Sequence, residues 1–305
     1  MSTDPVQRPP TIDPAAAARW ARLPALPTSP WLHEEVGRRM EDRLQWITAK
    51  PRHWADWSPL RGGLEAHAAV ARRYRDATPY VIEPDAALAE RTAETLSAPW
   101  WSARRWQGAR ARFDAPPEDG VDLLWANMAL HMAADPQALI GQWHRLLATD
   151  GFLMFSCLGP DTLREMRALY DRWGWPPACH QFTDMHDWGD MLVGAGFAEP
   201  IMDMERIVLT WPTPQAALAE LRGLGRNLHP ARFGSLRGRR WRTRLDTEWA
   251  ASATPDPEGG SGARISLTFE IIYGHAFKPP PRVALSGESA VSLRQMREML
   301  QRGRP

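Results

Sequence analysis

The sequence predicts an α/β protein built on a doubly wound sheet of seven mostly parallel strands. An apolar segment at 121–125, a segment with helical spacing at 135–148 and a second apolar segment at 152–158 follow one another closely. Strand, helix and strand in this order form a βαβ unit, with parallel strands and a right-handed crossover. Similar alternation precedes this unit, and two longer strand patterns, at 200–211 and 265–277, follow it.

The elements on either side of this unit follow from the same periodicities. Val36, Met40 and Leu44 form one apolar stripe, which predicts an amphipathic N-terminal helix over 31–49. Further strands are predicted at 54–57, 80–82 and 103–106, with helices at 63–74 and 86–96 between them.

After the βαβ unit the regular alternation of strands and helices ends. Helices are predicted at 160–173, 184–195, 215–224 and 236–252. The last two strands bracket the final two of these helices and should form an antiparallel edge. The expected organisation is one domain over 15–278 with a helical insertion at about 212–262, and disordered tails at 1–14 and 279–305.

Composition restricts the class of protein. The chain has 305 residues, 44% of them hydrophobic, and a formal net charge of +1, which excludes a globally basic nucleic-acid binder. No apolar run approaches the roughly 20 residues of a membrane span, and the N-terminus lacks the pattern of a secretory signal. Cys157 and Cys179 lie outside any CxxC or His/Cys cluster. We therefore expect a cytoplasmic protein without a disulfide framework, a metal site or a membrane partner.

The carboxyl ends of parallel strands are where such sheets bind ligands. Glu83 follows the second predicted strand, where an acid can accept hydrogen bonds from ribose hydroxyls, although acids also end strands without a ligand. Asp56 and Gly62 bracket the first turn, but Ser58 and Leu60 occupy positions at which a close-approaching ligand favours glycine. A Cβ at a position that needs a positive φ costs roughly 1 kcal/mol or more.

Four segments carry a resemblance to a known family. They read LHEEVGRRMEDRL at 32–44, DLLWANMALHMAADP at 122–136, LMFSCLGPDTLREMR at 153–167 and TFEIIYGHAF at 268–277. The chain resembles the malonyl-acyl-carrier-protein O-methyltransferases of biotin synthesis, the BioC family. The antiparallel end of the predicted sheet also fits the Rossmann-like class I methyltransferase fold better than a dinucleotide dehydrogenase. His131-Met132 stands where the family motif continues with Gln-Trp.

The resemblance implies transfer of a methyl group from S-adenosylmethionine to the free carboxylate of a malonyl thioester on acyl-carrier protein. A carboxylate is already a nucleophile, so we expect alignment and desolvation rather than a catalytic triad. The positions expected to bind the cofactor are Asp56, Trp57, Ser58, Gly62, Glu83, Pro84, Asn127, Met128 and Ala129.

An arginine-rich segment extends from the end of the helix predicted at 215–224 into the helix predicted at 236–252. Between Arg222 and Arg244 the chain carries eight arginines and no acidic residue. Such a surface would steer acidic carrier proteins toward the site. The alternative roles for this segment are a solvated helix face and a nucleic-acid contact. The residues expected to face a carrier protein are Arg237, Arg239, Arg240, Arg242 and Arg244.

Two functions remain open at this point. The chain is an active methyltransferase with a variant cofactor turn, or a non-enzymatic relative that has lost the cofactor and acts as a binding or regulatory partner. The missing glycines, and the lack of a clear adenine-contacting acid before Val121, favour the second. Asp56, Glu83 and Asn127 favour the first, which we take as the leading hypothesis. A methyltransferase for a different acid is a weaker third.

Overall fold

The computed structural model describes residues 12–24, 28–96, 110–255 and 262–281. Seven strands are described in these ranges. They are β1 (His53–Trp57), β2 (Thr78–Ile82), β3 (Val121–Ala126), β4 (Leu147–Leu158), β5 (Ala198–Trp211), β6 (Thr254–Pro255) and β7 (Ala263–Phe277).

The strands form one sheet in the order β2–β1–β3–β4–β7–β5, and the short β6 pairs with the start of β7. β1 runs parallel to β2 and β3, and β3 runs parallel to β4. β7 is antiparallel to both β4 and β5. The predicted mostly parallel sheet with an antiparallel end is confirmed, with β7 inside the sheet and β5 at its edge.

The opposite edge of the sheet continues beyond β2. The strand predicted at 103–106 lies outside the described residues. Arg112 forms an isolated parallel bridge with Tyr80 on the side of β2 that does not pair with β1. The backbone N–H of Arg112 donates to Pro79 O, and that of Val81 donates to Arg112 O. The chain therefore runs alongside β2 before it enters β3.

Helices lie on both sides of the sheet. Their bounds are α1 (Pro14–Arg22), α2 (Trp31–Arg43), α3 (Pro59–Gly62), α4 (Leu64–Arg73), α5 (Ala86–Leu96), α6 (Pro136–Leu146), α7 (Arg164–Arg172), α8 (Met185–Gly194), α9 (Pro214–Leu224) and α10 (Arg239–Ala251). The helix predicted from residue 160 begins only at Arg164. Before it, Gly159 N donates to Glu270 O and Leu163 N donates to Thr268 O, so this segment follows β7 instead.

Alternate residues of each central strand face opposite sides of the sheet, as the two-residue period of a strand requires. Trp54 and Leu123 pack on one side, in a core completed by α2, α7, α9 and α10. Ala55 and Leu124 pack on the other side, against α6 and α8. Both faces are covered by helices, as in other parallel sheets, which leaves the carboxyl ends of the strands as the place for a ligand site.

The end of the predicted tail 1–14 packs against the rest of the protein at Ile12 and Asp13. Ile12 is buried beside Leu228, and Asp13 caps α1 by accepting from the backbone of Ala15 and Ala16. The rest of the predicted tails, 1–11 and most of 279–305, lies outside the described residues. None of the helices in the described ranges is long and apolar enough to cross a membrane. Those ranges also contain no His, Cys, Asp and Glu cluster suited to a metal ion.

Candidate active site

The carboxyl ends of β1, β2 and β3 bring the predicted cofactor residues together. Trp57 pairs with Ile82, and Asp56 pairs with both Val81 and Trp125, so the three strands end side by side. Ser58 N then donates to Ile82 O at 2.8 Å, which joins the turn after β1 to the end of β2.

Glu83 is held by three hydrogen bonds from its own chain. Its carboxylate accepts from Ser58 Oγ at 2.7 Å, from Thr92 Oγ1 at 2.8 Å and from Leu60 N at 3.3 Å. Burial raises the pKa of Glu83, and these hydrogen bonds oppose that shift. The carboxylate that was expected to receive ribose hydroxyls is thus already engaged. Pro84, which follows it, is exposed.

The turn after β1 has the positive φ that its position predicts, although it carries a side chain. Ser58 has φ of 58°, in the left-handed region. Pro59 then begins the one-turn helix α3, and Leu60 within it is buried. Gly62 ends α3 so close to β3 that an added Cβ would lie 2.8 Å from Asn127 O. At Gly62, glycine therefore permits close packing against the protein's own backbone.

Asn127 connects three parts of the chain from a buried position. Its Nδ2 donates to His33 O in α2 at 2.8 Å and to Gly62 O, and its Oδ1 accepts from Ser156 Oγ in β4 at 2.6 Å. Met128 follows with φ of 53° and donates its N–H to Ser156 Oγ. Both amide donors and the amide oxygen of Asn127 thus have partners within the protein.

Asp56 and Trp57 point to opposite faces of β1. Asp56 is buried and accepts a hydrogen bond from His67 Nδ1 in α4 at 2.8 Å. Burial raises the pKa of Asp56, and the His67 partner opposes that shift. Trp57 packs edge-on against Trp143 of α6, with ring centroids 6.0 Å apart. Ala129 is half-buried next to the second core.

The start of α4 carries a carboxylate that sequence reasoning missed. Glu34, in α2, accepts from Ala66 N at 2.9 Å and from Glu65 N at 3.2 Å. An added Cβ on Gly63, whose φ is 135°, would lie 2.8 Å from Glu34 Oε2. The free N–H groups and dipole of a helix N-terminus favour an anion, and here the protein supplies it.

α1 covers the same turn from outside. Arg61 Nη2 donates to the carbonyls of Trp20 at 3.0 Å, Ala21 at 3.1 Å and Leu23 at 2.6 Å. These carbonyls lie at the C-terminus of α1, where a cation is favourable. Local sequence patterns do not reveal this contact, because the helix and its partner are about forty positions apart.

An apolar cavity of about 210 Å³ opens beyond the ends of β3 and β4, next to α9. Most of its wall is aliphatic or aromatic, and Arg222 and Arg226 are its exposed cations. Its lining includes His131, Leu158, Met166, His180, Phe182 and Leu218.

Two buried histidines give this cavity its neutral polar groups. His131 Nδ1 accepts from Leu158 N at 3.4 Å, and His180 Nε2 donates to His131 O at 3.0 Å. Burial lowers the pKa of His131 well below its ordinary value and that of His180 to about 4. Both rings are therefore neutral at physiological pH.

The arginine-rich segment is partly occupied by contacts within the protein. The Arg237 guanidinium lies 4.3 Å from the Phe233 ring centroid and 4.8 Å from that of Trp241. Arg242 forms an ion pair with Asp246, and Arg244 lies over Trp173. Arg239 and Arg240 are exposed at the start of α10.

Known proteins match this chain over most of its length. A methyltransferase-domain family matches residues 33–199. The malonyl-acyl-carrier-protein O-methyltransferase of Gallionella capsiferriformans is 34% identical over 85% of this chain and 88% of that protein. The chain belongs to this methyltransferase family.

Further relatives agree with that family assignment. The family member of Methylovorus sp. is 34% identical over 86% of this chain and 88% of that protein. The one from Laribacter hongkongensis is 41% identical over 53% of this chain and 52% of that protein. Among solved structures, YcgJ of Bacillus subtilis has a TM-score of 0.51 at 12% identity, covering 81% of this chain and 99% of that one. This likeness supports the class I methyltransferase fold.

In the conformation described, the polar groups expected to receive S-adenosylmethionine are bonded within the protein. The acid expected for its ribose is bonded to Ser58, Leu60 and Thr92. The helix terminus best suited to its carboxylate already carries Glu34. Family and fold thus indicate a methyltransferase, whereas the polar groups of the cofactor end are bonded to one another.

Proposed function

We propose that the chain methylates the free carboxylate of malonyl-acyl-carrier protein, with S-adenosylmethionine as methyl donor, in the biotin pathway. The match to relatives of that name at 34% identity over 85% of the chain carries the proposal. The same relatives favour an enzyme over the non-enzymatic binding partner.

The cavity beyond β4 is where we assign the malonyl thioester. Its apolar wall suits the thioester and the end of the carrier arm, and its size suits a short acyl group. Because His131 and His180 are neutral, Arg222 and Arg226 are the cations of the lining. Arg226 Nη1 donates to Arg222 O and Gly225 O, so we assign Arg222 to the malonyl carboxylate. A guanidinium can pair with a carboxylate through two parallel hydrogen bonds and so orient it.

We assign the carrier protein to the surface around the start of α10. Arg239 and Arg240 are exposed there, next to Leu236, which is 98% exposed. An acidic partner would be steered to this surface chiefly through a faster association rate. Arg237, Arg242 and Arg244, which contact neighbouring rings and an acid, stabilise the segment that presents these charges.

The cofactor is assigned to the ends of β1, β2 and β3. The positions assigned to the cofactor site remain those expected from the sequence: Asp56, Trp57, Ser58, Gly62, Glu83, Pro84, Asn127, Met128 and Ala129. Within this set, the buried Asp56 and Asn127 stabilise the walls of the site through His67 and Ser156.

The test is a methylation assay on defined carrier proteins. Malonyl-acyl-carrier protein is incubated with S-adenosylmethionine and the chain, and the methyl ester on the carrier arm is detected by mass spectrometry. Acetyl-acyl-carrier protein, which lacks the free carboxylate, serves as the control substrate. Arg222→Met should slow the reaction, and Arg172→Met, an exposed arginine of α7, should not. Absence of the methyl ester from malonyl-acyl-carrier protein would contradict the proposal.

A further inference from the structure

The first observation concerns the acid at the end of β2. Glu83 receives hydrogen bonds from the side chain and backbone of the turn after β1, through Ser58 Oγ at 2.7 Å and Leu60 N at 3.3 Å. A hydroxyl donating to this carboxylate is the interaction that a ribose hydroxyl would make. Ser58 therefore makes, from within the chain, the kind of hydrogen bond that a ribose hydroxyl would make to Glu83.

The second observation concerns the other end of the same turn. α4 begins directly after Gly63 with Leu64, whose N–H donates to Ser29 Oγ at 3.2 Å, and Glu34 accepts hydrogen bonds from the next two N–H groups, Glu65 N and Ala66 N. A carboxylate at a helix N-terminus following the first strand is the interaction that the amino-acid end of the cofactor would make. Its negative charge would also repel that of an arriving carboxylate.

The contacts to Glu83 belong to one short segment, residues 58–63, which we name the closed turn, and the contacts to Glu34 lie directly after it, at the start of α4. Ser58 begins it, Gly63 ends it, and the buried Leu60 lies between them in α3. Arg61 of the same segment binds three carbonyls at the end of α1. A shift of the closed turn would break the contacts to Glu83 and alter those to α1.

We propose that the closed turn and Glu34 hold the cofactor cleft shut, so that the cofactor binds only after displacing Ser58 from Glu83 and Glu34 from α4. This inference rests on the proposed function and adds regulation of its cofactor site. The apparent affinity for cofactor is reduced by the small fraction of molecules in the open conformation. Substitutions that weaken either contact should raise the affinity.

The direct test is binding of S-adenosylhomocysteine to the full chain, measured by calorimetry. Ser58→Ala keeps the Cβ and removes the hydroxyl, and it should tighten binding by about tenfold, since a hydrogen bond to a charged group is lost only from the closed conformation. Glu34→Gln keeps an acceptor for α4 and removes the charge, and it should tighten binding by a similar factor. The double variant should bind more tightly than either.

A matched variant separates this mechanism from a general effect on Glu83. Thr92→Val also removes a hydroxyl that lies 2.8 Å from Glu83 Oε1 and 2.8 Å from Leu88 O, but Thr92 lies in α5, outside the closed turn. Its affinity should stay at or below that of the unaltered protein. Thermal unfolding shows that each variant is folded.

The outcomes decide between the claims. Unchanged or weaker binding in folded Ser58→Ala and Glu34→Gln overturns the inference, as does a failure of all variants to bind. Tighter binding without methylation of malonyl-acyl-carrier protein supports the inference and contradicts the proposed function. If the protein methylates malonyl-acyl-carrier protein but every variant has the same affinity for S-adenosylhomocysteine, the proposed function is supported and the inference is contradicted.

Discussion

Two neighbouring parts of the same sheet edge differ in how they are filled. The cofactor side, at the ends of β1 and β2, is polar and closed: Glu83 and the start of α4 are bonded to Ser58 and Glu34. The acyl side, beyond β4, is an apolar cavity of about 210 Å³. A single side chain can take the place of a polar ligand group, because one hydrogen bond from the protein replaces the hydrogen bond that the ligand would make. Closing an apolar cavity needs added volume, since only packed atoms can fill it.

The largest expected effect tests whether the cofactor side is the more strongly connected of the two. Asn127→Leu leaves His33 O, Gly62 O and Ser156 Oγ without their partner, so it should lower the free energy of unfolding by about 4 kcal/mol. Asn227→Leu is the matched change on the acyl side, where Nδ2 donates to Pro177 O and Oδ1 accepts from His229 N at a half-buried position. It should lower the free energy of unfolding by about 2 kcal/mol. Urea denaturation measures both, and equal losses would remove this difference between the sides.

The second prediction fills the acyl cavity. Leu218→Trp replaces an aliphatic side chain of the lining with a bulky ring. It should slow methylation of malonyl-acyl-carrier protein by roughly 100-fold, because misplacing a substrate by about 1 Å has effects of that size. Affinity for S-adenosylhomocysteine should not change. Val193→Trp, at an exposed position of α8, is the control. A normal rate in Leu218→Trp would show that the substrate does not bind in this cavity.

The third prediction uses the neutral histidines of the acyl side. Burial lowers the pKa of folded His180 to about 4, below its ordinary value of 6.5, so the unfolded chain binds the proton first as pH falls. This contribution to stability is complete above about pH 6.5 and is lost progressively toward about pH 4. The titration of His180 alone should lower the free energy of unfolding by about 2 kcal/mol when the pH falls from about 7 to about 5.

His180→Gln, which keeps a donor for His131 O, removes that titration. Denaturation at the two pH values should therefore show a smaller loss of stability in this variant than in the unaltered chain. An identical loss in both proteins would mean that His180 is not held neutral.

The smallest expected effect concerns the surface next to the acyl side. Replacing Arg239 and Arg240 by Glu should slow association with malonyl-acyl-carrier protein about tenfold at low salt, and the difference should shrink at high salt as charges are screened. Replacing the exposed Arg72 and Arg75 by Glu makes the same charge change on α4 and after it, and should have little effect. Stopped-flow kinetics measure both; equal slowing would indicate only net charge.

The architecture of this protein follows from its sequence. Period-two and period-3.6 patterns identified β1 to β5, β7 and most helices, because burial of one or both faces imposes those periods locally. The segment at 159–163 differs from its prediction: it reads as a helix start, yet Gly159 N and Leu163 N donate to carbonyls of β7. Competition from a strand more than one hundred residues away is not visible in a local pattern.

The candidate site was predictable in its location but not in its bonding. Strand ends placed Asp56, Ser58, Glu83 and Asn127 at one edge, and the missing glycines marked the first turn as unusual. Glu34 and Thr92 had no such signal beyond a polar residue on a helix, although Thr92 shares the buried face of Leu88.

The sequence by itself therefore determined the succession of strands and helices along the chain, the edge of the sheet that carries the site, and the family. Only the tertiary structure decided that the cofactor side is closed and the acyl side open. The physical reason is that periodic burial is encoded within each element. A hydrogen bond such as Ser58 to Glu83, or Glu34 to Ala66, depends on how elements distant in the chain are brought within 3 Å of one another.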